Sequence, residues 1–155
     1  MDLRFALENE TVDDVGFSPP ATVQKDETVQ SAIEFMRRNR YGCILVLDGE
    51  KFCGIFTERD FLCRVLGKEN LNDCPISDVM SSKATVASED ILIHEALNLL
   101  HLNGIRHLPL LDDQHRPAGT ISVKRAVHFL ADYHPITVYN LPPEPATIPA
   151  SRDGG

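Results

Sequence analysis

The sequence predicts an α/β fold of the α+β kind: two tandem copies of one small unit, packed through their β-sheets with helices on the flanks. Three observations predict it. Short motifs return at an offset of 63 to 65 residues: Ala21-Thr22-Val23 as Ala84-Thr85-Val86, Val46-Leu47-Asp48 as Leu110-Leu111-Asp112, and Gly54-Ile55-Phe56-Thr57 as Gly119-Thr120-Ile121-Ser122. Between them, apolar residues switch from helical spacing to short continuous runs, so each copy alternates helix and strand. The chain has 155 residues, enough for one compact domain.

Each element follows from its pattern. A short β-like start (Thr22-Val23; Thr85-Val86) leads through polar residues into an amphipathic helix. Val29, Ala32, Ile33 and Met36 share one helical face in copy one, and Leu92, Ala96, Leu99 and Leu100 are read the same way in copy two. Asn103-Gly104 reads as a helix stop with glycine just past the end. An apolar strand follows at 43–47 or 107–111, then a turn (Asp48-Gly49-Glu50; Asp112-Asp113-Gln114) and a second strand at 52–56 or 118–121. A closing helix is expected at 60–66 and at 124–131. Runs this apolar want cover on both faces, and a unit of roughly 50–60 residues rarely holds a sufficient core alone. The copies are therefore expected to pack on each other. Residues 1–17 match no part of the repeat and are expected to form a short helix or strand. Residues 134–155 hold Pro135, Pro142, Pro143, Pro145 and Pro149 and read as an extended or flexible tail.

Composition excludes several functions. Twenty-three acidic against 15 basic residues give a formal net charge of −8, a field that repels nucleic acid and anionic membrane. No run approaches the roughly 20 apolar residues that span a bilayer, and the acidic start has no signal-peptide pattern, so a cytoplasmic protein is expected. Cys43, Cys53, Cys63 and Cys74 lack CxxC spacing and read as small hydrophobes. The six histidines form no HExxH pair, and no Gly-x-Ser-x-Gly elbow or Walker loop is present, so no enzyme and no catalytic cofactor are expected. Glu8, Glu10, Asp13 and Asp14 read as a solvated acidic run; a Mg²⁺-sensing patch is the alternative.

One segment carries chemistry. In Gly54-Ile55-Phe56-Thr57-Glu58-Arg59-Asp60, Gly54 lets the strand pass close to something, and Thr57 offers a hydroxyl where strand becomes helix. Backbone N–H groups at such a turn attract phosphate. The Asp60 carboxylate can accept from both ribose hydroxyls, and Arg59 can reach a phosphate. Thr-x-x-Asp also describes simple helix capping, and both readings stay open here.

With the repeat beside it, this segment and Gly104-Ile105-Arg106-His107-Leu108-Pro109-Leu110 resemble the CBS-domain pair over residues 18–133, with copies at 18–70 and 75–133. Gly54 to Asp60 is similar to the family's nucleotide motif Gly-x-x-(Thr/Ser)-x-x-(Asp/Asn). The resemblance implies a regulatory module that binds an adenine nucleotide (AMP, ADP or ATP) in the cleft between copies. It places the adenine slot at Thr22, Val23, Tyr41, Gly42, Cys43 and Ile44. It also implies that Arg106 and Lys124 reach across to the phosphates, as a similar Lys-Arg pair does in kinase γ subunits. Copy two departs from the pattern: Arg125 stands where the ribose-binding acid belongs, and a cation cannot accept from hydroxyls. One nucleotide per chain is expected. The family's habit of pairing through helices implies a homodimer through 61–66 and 126–130, and an effector protein that the sequence does not identify. Alternatives are S-adenosylmethionine or NAD as ligand, or a ligand-free dimeric scaffold.

Overall fold

A computed structural model describes residues 2–133; the proline-rich stretch lies outside the described residues. Helices α1 (Leu3–Asn9) and α2 (Val12–Val15) precede copy one, which runs β1 (Thr22–Gln24), α3 (Val29–Asn39), β2 (Cys43–Asp48), β3 (Lys51–Thr57) and the single turn α4 (Glu58–Asp60), continued as a π-helical stretch, Phe61–Val65. A 3₁₀ turn, Ile76–Asp78, opens copy two: β4 (Ala87–Ser88), α5 (Ile93–Leu102), β5 (His107–Leu111), β6 (Pro117–Ser122) and α6 (Val123–Tyr133). Each copy holds a three-stranded sheet, ordered β1-β2-β3 and β4-β5-β6.

Local chemistry explains the elements. Thr28 caps α3 by accepting from the Ser31 N–H at 3.1 Å, Val29, Ala32 and Met36 bury one face, and Arg37 and Arg38 in the last turn suit the negative end of the helix dipole. In β2, Ile44 and Val46 face α3, while Cys43 and Leu45 turn the other way to form a small cluster with Ile55. Ala84 of copy two packs on that cluster, and the Phe52 N–H donates to the His115 carbonyl at 3.0 Å, so the alternate strand face joins the copies. Leu45 is fully buried there; such a side chain contributes about 1.5–3 kcal/mol by leaving water. Both hairpins carry a bulge at the equivalent place, between Val46 and Leu47 and between Leu110 and Leu111.

The internal symmetry differs in detail from the motif matches. The first strand of copy two is Ala87–Ser88, not Thr85-Val86: Val23 pairs with Val46 and Ala87 with Leu110, a constant offset of 64 that makes the Ala-Thr-Val match one residue out of register. On α5 the buried face is Ile93, Ala96 and Leu100, with Leu92 as the N-cap and Leu99 only partly buried. The symmetry also reaches further back than the identities. Thr11 bridges Leu92 as Pro75 bridges Thr28. Val12 and Val15 then enter the core of copy two, and Ile76 and Val79 enter the core of copy one. Each copy thus lends its opening segment to the other. These crossing segments run on to pair with the far hairpin, Ser18 with Thr120 and Ser81 with Ile55. Gly54 and Gly119 exist for that approach: a Cβ on Gly54 would stand 2.5 Å from Met80 Sδ and 3.0 Å from the Ser81 carbonyl oxygen, and one on Gly119 would strike the Phe17 ring.

The closing helices divide their apolar residues. Val65, Ala126 and Phe129 are buried in the cores, Phe61 and Leu130 are partly covered, and Leu62, Leu66 and Val127 stand open at 61%, 65% and 55% exposure. Of the apolar residues in the two stretches expected to pair chains, Leu62, Leu66 and Val127 are therefore the exposed ones.

Candidate functional site

A cleft of about 730 Å³ lies between the copies, with the start of α4 on one wall. Thr57 ends β3 and caps α4; its hydroxyl accepts from the Asp60 N–H at 3.2 Å. Asp60 Oδ2 accepts in return from the Thr57 N–H and hydroxyl, both at 2.9 Å. The other oxygen, Oδ1, accepts from the Ser81 hydroxyl at 3.0 Å and lies 3.8 Å from Arg64 Nε. Asp60 is only 8% exposed, and what it shows borders the cleft.

The capping reading of Thr-x-x-Asp is therefore real, and the protein contains its own control. Thr11 and Asp14 make the same three bonds at 2.9, 2.8 and 3.2 Å on the surface, and those bonds hold the Asp14 carboxyl below the ordinary aspartate range. The spacing by itself encodes a cap. Asp60 differs in being buried at a cleft floor, with an oxygen aimed away from its own helix.

Copy two supplies the facing wall. Residues 81 and 83–85 of the crossing segment, residues 103–106 of the α5–β5 loop and His107 at the start of β5 line the cleft. Arg59, Lys83 and Arg106 are exposed side chains on its rim. Glu58 and His107 are also at the wall. Burial is the main cause pulling the His107 imidazole below the usual histidine value, Glu58 opposes it, and Arg106 adds to it.

Of the residues expected from sequence, Gly42, Thr57, Arg59, Asp60 and Arg106 line this cleft together. Gly54 stands behind it, packed on Met80. Lys124 is exposed on the first turn of α6, outside the lining residues. Of the six residues expected to form the adenine slot, Gly42 alone lines the cleft, and the other five lie elsewhere. Thr22 and Val23 pair with Leu45 and Val46 inside the first sheet. Ile44 is fully buried in the core of copy one. Cys43 is buried on the inter-copy face, where desolvation pushes its thiol up to about 12. Tyr41 stacks on Phe35 at 5.7 Å and borders a separate hollow of about 460 Å³ with Met36, Arg37, Arg40 and Phe61. The physical reason is the crossing of the copies: Thr57 to Asp60 of copy one face residues 103–107 of copy two across the cleft. At the offset of 64 the equivalents of Tyr41, Gly42 and Cys43 are Ile105, Arg106 and His107, which line the cleft; those of Thr22, Val23 and Ile44 are Val86, Ala87 and Leu108, which do not, and Thr85 lines it one residue before Val86. The repeat offset carried that signal, together with Lys83 and Ser81 beside Thr85.

In copy two the position of Asp60 is taken by Arg125. Its backbone N–H is capped by Ser122 at 3.2 Å, and its guanidinium donates to the Gly16 carbonyl at 3.2 Å and to the Val15 carbonyl. Arg125 and Asp60 thus do one common job, tying a hairpin end to a crossing segment, with opposite hydrogen-bonding sense. Three of the four acids weighed as a metal patch are engaged differently: Glu8 with Arg4, Glu10 with the Tyr133 hydroxyl, Asp14 with Thr11.

Comparison with known proteins agrees with the geometry. A family model described as CBS domain matches residues 12–67 and 76–132. The CBS domain-containing protein YhcV of Bacillus subtilis is 28% identical over 113 residues, covering 73% of this chain and 80% of that protein. Inosine-5'-monophosphate dehydrogenase of Methanocaldococcus jannaschii is 34% identical over 113 residues, covering 72% of this chain but only 22% of the enzyme. Among solved structures, a CBS-domain protein from Pyrobaculum aerophilum complexed with AMP superposes with a TM-score of 0.69 over 81% of this chain and 99% of that one; at 18% identity this speaks for the fold alone.

Proposed function

The chain belongs to the CBS-domain family, with two copies in tandem, and from that premise we propose that it is a non-catalytic regulatory module that binds one adenine nucleotide in the inter-copy cleft. One observation carries the reading: a buried carboxylate, pre-oriented by Thr57, at the floor of a cleft whose rim holds Arg59, Lys83 and Arg106. The Asp60 carboxylate suits a ribose diol, since it only accepts and keeps an open lone pair beside Ser81. The rim cations suit phosphate, and the small and aliphatic wall at Ala84 and Ile105 suits a flat base. The same fold is complexed with AMP in the Pyrobaculum aerophilum protein and with S-adenosylmethionine and methylthioadenosine in another structure, so the fold accommodates adenosine ligands and the rim cations are what favour a phosphate-bearing one.

Arg125 leaves no carboxylate for a ribose in copy two, and its guanidinium is engaged by Val15 and Gly16. A single ligand then contacts both copies and biases their arrangement, because only differential affinity for two arrangements transmits a signal. The exposed Leu62, Leu66 and Val127 suit pairing of two chains, with a separate effector reading the pair. The Glu58 carboxylate is what a cationic ligand such as S-adenosylmethionine would use instead.

Thermal melting with AMP, ATP and S-adenosylmethionine tests this. At 100 times its dissociation constant a ligand adds about 2.7 kcal/mol, a rise of several degrees. The rise is expected with a nucleotide and is expected to vanish in Asp60→Asn. A rise with S-adenosylmethionine alone would select the cationic ligand, and no rise with any of them would leave a ligand-free scaffold.

A further inference from the structure

The cleft contains a pair of groups that the nucleotide reading does not use. His107 opens β5 of copy two, and its ring fills the space that Gly42 leaves open in copy one. A Cβ at Gly42 would stand 3.3 Å from His107 Cε1, 3.4 Å from Nε2 and 3.8 Å from Glu58 Oε2. An imidazole from one copy and a carboxylate from the other therefore converge on the same point of the cleft wall. Glu58 is otherwise out of place there, because a carboxylate among Arg59, Lys83 and Arg106 repels the phosphate those cations would attract.

Resting on the nucleotide reading, we propose that His107 is a proton-linked phosphate contact: a phosphate-bearing ligand entering the cleft draws a proton onto the imidazole, which is then held between the ligand's anionic oxygens and Glu58. Glu58 and Arg106 are the charged groups that act on the ring, and Arg59, Asp60 and Lys83 line the same cleft; burial holds the Cys43 thiol protonated. In the free protein, burial pulls the imidazole below its ordinary value and so favours the neutral ring. A phosphate dianion beside it favours the charged form. A group whose pKa rises on binding takes up a proton from solution, so affinity increases as pH falls towards about 6. Glu58 then serves as the counter-ion of the imidazolium, a role only the protonated state gives it.

Calorimetric titration with AMP, in buffers of different ionisation enthalpy between about pH 6 and pH 8, reads the proton count directly. The phosphate of AMP itself titrates near pH 6, so the informative quantity is the difference between wild type and His107→Gln with the same ligand. Wild type is expected to take up more protons than His107→Gln near neutral pH and to gain several-fold in affinity on acidification. His107→Arg is expected to bind AMP with no such gain, and adenosine, which lacks phosphate, to bind with no uptake. The nuclear magnetic resonance titration of the His107 imidazole, with and without AMP, reads the same shift in the unaltered protein. AMP binding with equal proton counts in wild type and His107→Gln, or an imidazole whose titration AMP does not move, would overturn the proposal and leave the nucleotide site standing. No AMP binding by wild type would overturn the nucleotide reading and this one with it.

Discussion

Arg40 ends α3 in the left-handed region at φ 58°, and 64 residues on, Gly104 adopts φ 59° after α5. The conformation costs a residue with a Cβ about 1–2 kcal/mol and glycine almost nothing. Arg40→Gly is expected to stabilise the protein by about 0.5–1 kcal/mol, net of the extra entropy that glycine loses on folding; the urea midpoint checks it. The cysteines separate by burial. Cys43, held near 12, is expected to resist alkylation at pH 8, while the exposed Cys63 is modified first, as peptide mapping after partial labelling would show. At this scale the sequence was most informative where a residue's role is local. Thr57, Asp60 and Arg59 were legible because cap, acid and cation sit within one turn. The site partners Ser81 and Lys83 were not, because nothing local to them indicates that the chain crosses over to Asp60.

The crossing segments are the elements that tie Asp60 to the packing of the two copies. Ser81 is bonded through its backbone to Ile55 at 2.8 and 3.0 Å and through its hydroxyl to Asp60, while Arg64 donates to the carbonyls of Val79 and Met80. In the proposed function, a ribose held by Asp60 would act on the segment of chain that joins the copies. Gly54→Ala pushes a Cβ against this segment. Met80 can swing aside, but the Ser81 carbonyl is fixed by the Ile55 N–H, so a loss of about 1–3 kcal/mol is expected in denaturant unfolding. An unchanged midpoint would mean that the segment yields freely. The order of helices and strands could be read from apolar spacing, and both hairpins fall where the spacing puts them. β4, only two residues long, offers too little pattern to fix its register, so identity at Ala84-Thr85-Val86 outweighed the pairing that the sheet imposes. The crossing segments escaped because their likeness is only apolar, Val12 and Val15 against Ile76 and Val79.

For the whole molecule, the sequence reading set motif and adenine slot in the same copy, whereas the packing sets Thr57 to Asp60 of copy one against residues 103–107 of copy two. That packing also leaves Leu62, Leu66 and Val127 uncovered. If they pair two chains, Leu66→Asp is expected to halve the mass seen by sedimentation, and an unaltered mass would place the contact elsewhere. Stability should also depend on pH through His107. Its folded-state value lies below the ordinary one, so the unfolded chain binds more protons in that interval, and unfolding free energy falls as pH drops through about 6.5. His107→Gln should flatten that part of the profile.

The most direct measurement is the stoichiometry of AMP binding by calorimetry on wild type and Asp60→Asn. One AMP per chain, lost in Asp60→Asn, is the result expected of a single cleft built on Asp60 with its counterpart replaced by Arg125. Two per chain, or one that survives Asp60→Asn unweakened, would contradict it.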